Sequence, residues 1–150
     1  MRLYFSIILM LSSLTIFAQA DSKESKNDVQ IIRSFIHDLA DHDIALDVIL
    51  SQYLIVDQPS EELYDYLEAS LEEVRINLMT KNTDEIRYVP YAQMSRRDVR
   101  DIDPEGLNPD QMYFLQYRNR QMLAVYVAEG KIGSFTLVSK GQNKAHFVLY

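Results

Sequence analysis

The order of apolar patterns predicts an α+β domain. Three helices come first, then a curved antiparallel sheet of about four to six strands, packed as a cone-like roll. Two observations carry this. From Val29 to Met79 apolar residues recur at three and four positions, the period of an amphipathic helix. From Ile86 onward they fall into short runs parted by turn residues, as strands do.

The first helix takes its stripe from Ile32, Phe35, Ile36 and Leu39, with Asp28 as its N-cap. Residues 21–27 are polar and read as a disordered leader. Placed on this helix, Ser34, His37 and Asp41 face away from the stripe, and Asp38 and His42 lie on its flank. Asp43 would fall within the stripe, where a bare carboxylate is costly. The helix is therefore expected to stop near Asp41, with Asp43 capping a second helix over 44–54. Ser60 caps a third helix, and Glu61 and Glu62 favour the positive end of its dipole. Leu63, Leu67, Leu71, Val74 and Leu78 form its stripe.

The run "IRYVPY" reads as a strand with Pro90 near its end or at an edge. Residues 92–110 form a polar stretch long for a loop, which predicts short helices or a function. Strand-like runs follow at 111–117, 122–129, 131–139 and 145–150. Their connections, 118–120, 129–131 and 141–143, are short enough for antiparallel hairpins. In Leu123–Ala128 both alternating sets are apolar, which predicts a central strand covered on both faces.

The N-terminus carries Arg2, an apolar run to about Phe17, and Ala18-Gln19-Ala20, the pattern of an export signal cleaved after Ala20. The run is short of the roughly 20 residues of a membrane span. The chain is thus expected to be periplasmic or secreted, with no membrane attachment after cleavage and a single α+β roll domain over 28–150. There is no cysteine, so disulfides, thiolate nucleophiles, cysteine-based zinc sites and a lipid anchor on cysteine are excluded. Loss of Arg2 lowers Lys and Arg from 15 to 14 against 22 Asp and Glu, a formal charge of −8. That sign argues against nucleic acid and anionic membranes as partners.

The opening stretch "FIHDLADHDIALDVILSQYL" and the closing runs "LAVYVAEGKIGSFTLVSKG" and "AHFVLY" resemble the ketosteroid-isomerase-like superfamily, also called nuclear-transport-factor-like or cystatin-like rolls. The resemblance covers most of 28–150 and rests on element order and hydrophobic pattern. It implies a curved sheet wrapped around a helix, with an apolar pocket inside the cone. Members include isomerases, dehydratases and epoxide hydrolases as well as noncatalytic binding modules. The fold alone does not choose among these.

Several residues are candidates for chemistry, each beside a plainer role. Asp43 lies near the position where several members of that superfamily carry a carboxylate; it is the candidate general base, or a helix cap. Tyr88, Tyr113, Tyr117 and Tyr126 are candidate ligand-binding residues, or packed strand aromatics. Asp101, Asp103 and Glu105, followed by Gly106, match the front half of a calcium loop, but Met112 stands where a bidentate Glu is needed. The plainer reading is an Asp/Pro/Gly turn. Arg96, Arg97 and Arg100 are candidates to clamp an anion, or partners of neighbouring carboxylates. His37 with Asp41, and Asp38 with His42, are i,i+4 pairs that lack the third ligand of a metal site.

Three readings follow. The first is an exported noncatalytic domain, free of cofactors, that binds a small apolar ligand or a protein partner on the concave sheet face, with the convex face left to a second copy of the chain. The second is a small lyase or isomerase using Asp43 with pocket tyrosines. The third is a calcium-stabilised interaction domain.

Overall fold

A computed structural model describes residues 23–150; the predicted export segment lies outside them. The chain is α+β. Helix α1 runs over 23–40, α2 over Leu46–Tyr53 and α3 over Glu61–Leu78. Strand β1 (Arg87–Pro90) follows, then a short helix α4 (Arg96–Val99). The remaining strands are β2 (Met112–Tyr117), β3 (Arg120–Ala128), β4 (Lys131–Ser134), β5 (Leu137–Gly141) and β6 (Lys144–Phe147). β1 to β4 form an open antiparallel meander in chain order, and β5 pairs with β6 as a separate two-stranded sheet.

Helix α1 begins earlier than its pattern suggests. Residues 23–27 are helical rather than a disordered leader, and Asp28 is a buried residue inside the helix, not its cap. The reason is tertiary: the Asp28 carboxylate accepts a hydrogen bond from the Tyr113 hydroxyl at 2.9 Å, which ties this turn to the sheet. At the other end α1 stops at residue 40, as the cost of burying a carboxylate requires.

The bend is built differently from expectation. Asp41, not Asp43, orders it: Asp41 Oδ1 accepts from the Asp43 amide at 2.9 Å. The chain then runs to Ala45, which caps α2 without a side-chain hydrogen bond. Arg75, on α3, reaches across and donates to the carbonyls of Leu39 at 2.9 Å and Ile44 at 2.7 Å. It thereby satisfies one carbonyl that the end of α1 leaves open and one in the bend that follows. Ser60 caps α3 through the Leu63 amide as predicted.

The strict alternation of β2 and β3 separates two cores. Tyr113 and Leu115 of β2, with Val125 and Val127 of β3, face the helices and join Ile32, Phe35, Ile36, Leu39, Leu67 and Leu71. Phe114, Ala124 and Tyr126 face the other way, where Val99 of α4 and Phe147 of β6 cover them. The prediction of a central strand with two buried faces therefore holds for β3. β1 is an edge strand ending in Pro90, and its missing N–H fits that place. The edge of β4 is partly covered by the chain after α2, where the Ile55 amide donates to the Ile132 carbonyl at 2.9 Å.

The run "KIGSFTLVS" is not one strand. Ser134 Oγ accepts from the Thr136 amide at 3.1 Å, and the Tyr150 hydroxyl accepts from the Phe135 amide at 3.2 Å. These side chains occupy amides that a continuous ladder would have used, so the chain turns out of the meander into β5. The three hairpin connections are two-residue turns with both central residues at positive φ: Arg118-Asn119, Glu129-Gly130 and Gln142-Asn143. The long stretch 92–110 holds the short helix α4, and a 3₁₀ turn straddles each end of the stretch, Tyr91–Gln93 and Pro109–Gln111.

Candidate functional site

The sequence-predicted site residues do not converge. Asp43 is exposed, and its carboxylate faces solvent rather than the core. The residue of the opening stretch that is engaged is Asp38: its carboxylate accepts from the Tyr53 hydroxyl at 2.6 Å and lies 3.4 Å from His37 Nδ1. Burial and this bond to a carboxylate push the Tyr53 hydroxyl up to about 12. The pair fastens α2 to α1.

The four tyrosines divide between the two faces of the sheet. Tyr113 is fully buried in the helix-side core, and burial first, then its bond to Asp28, raises its pKa. Tyr88 is half-buried on the same side, with the Arg33 guanidinium 5.1 Å from its ring centroid. Tyr126 lies on the opposite face and donates to Gln111 at 3.1 Å. Tyr117 alone borders an open groove. The concave face implied by the roll is filled by core side chains, among them Phe35, Tyr113, Leu115 and Val125, all essentially inaccessible.

The three carboxylates of the partial calcium loop also part. Asp103 Oδ2 pairs with Lys140 Nζ at 2.7 Å, and Glu105 pairs with the same ammonium. Glu105 also meets His146 Nδ1 at 2.5 Å, while Asp101 lies 3.5 Å from Arg100. A lysine thus stands where the calcium reading would place a cation. Among the described residues no group of three His, Asp or Glu is arranged to hold a metal. The hydrogen bonds and charges from Lys140 and the neighbouring groups hold Asp103 and Glu105 below their usual carboxylate range. With Ala145, whose amide donates to the Asp101 carbonyl at 2.8 Å and whose carbonyl accepts from the Asp103 amide at 2.8 Å, they strap the loop onto β6. Arg96 and Arg97, the other members of the expected anion clamp, are exposed on α4.

The arrangement with the clearest chemistry is a groove of about 650 Å³ at the β2–β3 turn and the end of α3. Lys81, Arg118 and Arg120 line it with Tyr117, Asn77, Thr80, Gln121 and Met122. Three of these eight residues are cationic and none is a carboxylate, in a chain of net charge −7. Arg120 sits directly opposite Tyr117 in the strand register. Arg118 occupies the first turn position at φ 49°, and its guanidinium lies 5.1 Å from the Tyr117 ring centroid. Lys81 Nζ lies 5.9 Å from the same centroid and donates to the Asn77 carbonyl at 2.7 Å. Both cations therefore rest against one aromatic ring, which limits their freedom before anything binds. Glu85 approaches Arg118 from outside the lining, at 4.0 Å.

The sequence marked Tyr117 as a ligand candidate and placed Arg118 and Arg120 in a hairpin connection. It gave no sign of Lys81, which lies on a distant segment and arrives only because α3 ends beside this turn. Comparison with protein-family models, with curated proteins and with solved structures finds no match. Among the described residues no helix is long and apolar enough to cross a membrane.

Proposed function

We propose that this chain is an exported, noncatalytic binding domain related to the ketosteroid-isomerase-like rolls. Its recognition surface is the groove beside Tyr117 rather than the inside of the cone. The observation that carries this reading is the contrast between a filled concave face and an open, cation-lined groove. A volume of that order is typical of small-ligand sites, which combine an apolar wall with a few convergent polar groups. Export is supported by the N-terminal sequence pattern, and the kinship by element order. Among the described residues no tyrosine hydroxyl is bonded to the exposed Asp43, so the proton-transfer reading has no assembled machinery behind it there.

Thermal denaturation of the full chain against a mixed panel of neutral, cationic and anionic small molecules tests the proposal. Saturable stabilisation by at least one member, recovered unchanged after incubation, is the expected result. Turnover of a stabilising compound that is lost in Asp43→Asn would overturn it, and so would a panel in which nothing binds.

A further inference from the structure

The geometry points to a specific chemical class for the groove: a small molecule carrying two oxyanionic groups, bound by Arg118, Arg120 and Lys81 against the edge of Tyr117. This deepens the binding-domain reading and rests on it.

The charge count selects the ligand. Lys81 and Arg120 have no carboxylate within ion-pairing distance among the described residues, and Arg118 shares its charge with Glu85 only at 4.0 Å. The groove therefore offers about two uncompensated positive charges, which a dianion would neutralise and a neutral apolar ligand would not. The chain as a whole is acidic, so such a pocket is a local reversal of the field and concentrates anions only at that spot.

The donor geometry selects oxyanions. A guanidinium presents a planar fork that matches the two oxygens of a carboxylate or phosphoryl group. Two arginines at the turn supply two such forks. Lys81 spends one proton on the Asn77 carbonyl and keeps two for a ligand. The Asn77 and Gln121 amides add neutral donors around the rim, while the Thr80 hydroxyl donates to the Asn77 carbonyl at 3.4 Å. Met122 and the Tyr117 ring leave room for a short carbon skeleton between the charged ends.

Arg118 is held by the turn itself. Both residues of the Arg118-Asn119 turn adopt positive φ, 49° and 62°, as a two-residue hairpin demands. Asn tolerates that region well, whereas a long side chain in it is uncommon. The strain is local to the arginine that leans over Tyr117.

The test is isothermal titration of the full chain with succinate, with propane-1,3-diyl bisphosphate and with neutral 1,4-butanediol, at low ionic strength. The structure expects saturable binding of succinate, the bisphosphate or both, and none of butanediol. Whichever binds tells whether the groove prefers carboxylate or phosphoryl oxygens. Arg118→Gln and Arg120→Gln should each weaken binding roughly tenfold or more, the size of a lost charge-assisted bond. Arg97→Gln removes the same charge from exposed α4 and should leave affinity unchanged. All three positions are exposed, so the variants should fold, and their melting curves verify it. Binding that is indifferent to Arg118 and Arg120 would overturn this site while leaving the binding-domain reading in place. Failure of both anions to bind, or retention only on vesicles containing phosphatidylglycerol, would overturn the small-dianion assignment.

Discussion

The two faces of the meander are covered by different means. On one face, α1, α2 and α3 deliver a continuous apolar core, including Ile32, Phe35, Ile36, Leu39, Leu67, Leu71, Tyr113 and Leu115 with no significant exposure. On the other, α4, the irregular chain to 111 and the β5–β6 hairpin cover a smaller cluster of Val99, Met112, Phe114, Ala124, Tyr126 and Phe147. There the cover is fixed largely by backbone bonds to Ala145 and by the polar contacts among Asp103, Glu105, Lys140 and His146. A helix presents a whole face of side chains for burial. An irregular segment cannot, so it is fastened through its polar groups instead. One sheet thus carries a face whose stability is non-directional and salt-insensitive, and a face whose stability depends on directed polar contacts.

The comparison predicts an order of mutational effects. Phe35→Ala, at the centre of the helix face, should cost about 3–5 kcal/mol in urea unfolding. Phe147→Ala, under the hairpin, should cost less, since a small cluster near the surface can collapse into the vacancy. An equal or larger loss at Phe147 would break the comparison. Arg75→Leu should cost about 3 kcal/mol, because the Leu39 and Ile44 carbonyls lose their donor in a buried place. A variant as stable as the parent would show that the helix end does not need that donor.

Gly133 offers a smaller test on the far face. A methyl there would meet the Tyr126 ring at 3.1 Å, closer than ordinary packing allows. Gly133→Val should therefore cost about 1–3 kcal/mol as overpacking. Restoration of stability in the double variant Gly133→Val with Tyr126→Leu would assign the loss to the ring.

Acid and base sharpen the contrast. Burial raises the pKa of Asp28, only partly offset by the Tyr113 hydrogen bond, so the fold prefers its neutral form. Its destabilising effect is absent well below the ordinary carboxylate value and grows as pH rises through and above it. Asp28→Asn keeps an acceptor for Tyr113, so it should raise the melting temperature near neutral pH and not in acid. A gain that does not depend on pH would refute this.

The strap behaves in the opposite sense and has the smallest global effect. Asp103 and Glu105 have lowered values, so their stabilisation is present above the ordinary carboxylate range and lost as pH falls through the lowered ones. Lys140 is raised by the same two partners, so its share holds at ordinary pH and is lost only as pH climbs through its raised value. These groups are solvent-exposed, and the event is local. Hydrogen-exchange protection of the Asp103 and Ala145 amides should fall in acid, in high salt and in Glu105→Gln, with little movement of the global melting point.

Most of the architecture was readable because periodicity reports burial directly. The stripes of α1 and α3, the Ser60 cap, the edge position of Pro90 and the double-sided burial of β3 all follow from side-chain spacing and backbone chemistry. The errors arose where one segment's conformation depends on a distant one. Asp28 looks like a cap until Tyr113 supplies a hydroxyl, and Asp43 looks like one until Asp41 takes the bend. The run through Phe135 looks continuous until Tyr150 claims its amide. The candidate groove was half visible, in Tyr117 with Arg118 and Arg120, while Lys81 could not be joined to them by any spacing rule.

Local pattern therefore determined most of the helix and strand segments and most of the buried apolar side chains, because the hydrophobic effect acts on every apolar residue whatever its neighbour. Only the tertiary structure decided where the charges meet. It turned a suspected calcium loop into a lysine-bound strap, sent Asp43 to solvent, and gathered three cations from two distant segments around one tyrosine. Polar contacts are directional and short-ranged, so they exist only after the chain has brought their partners together.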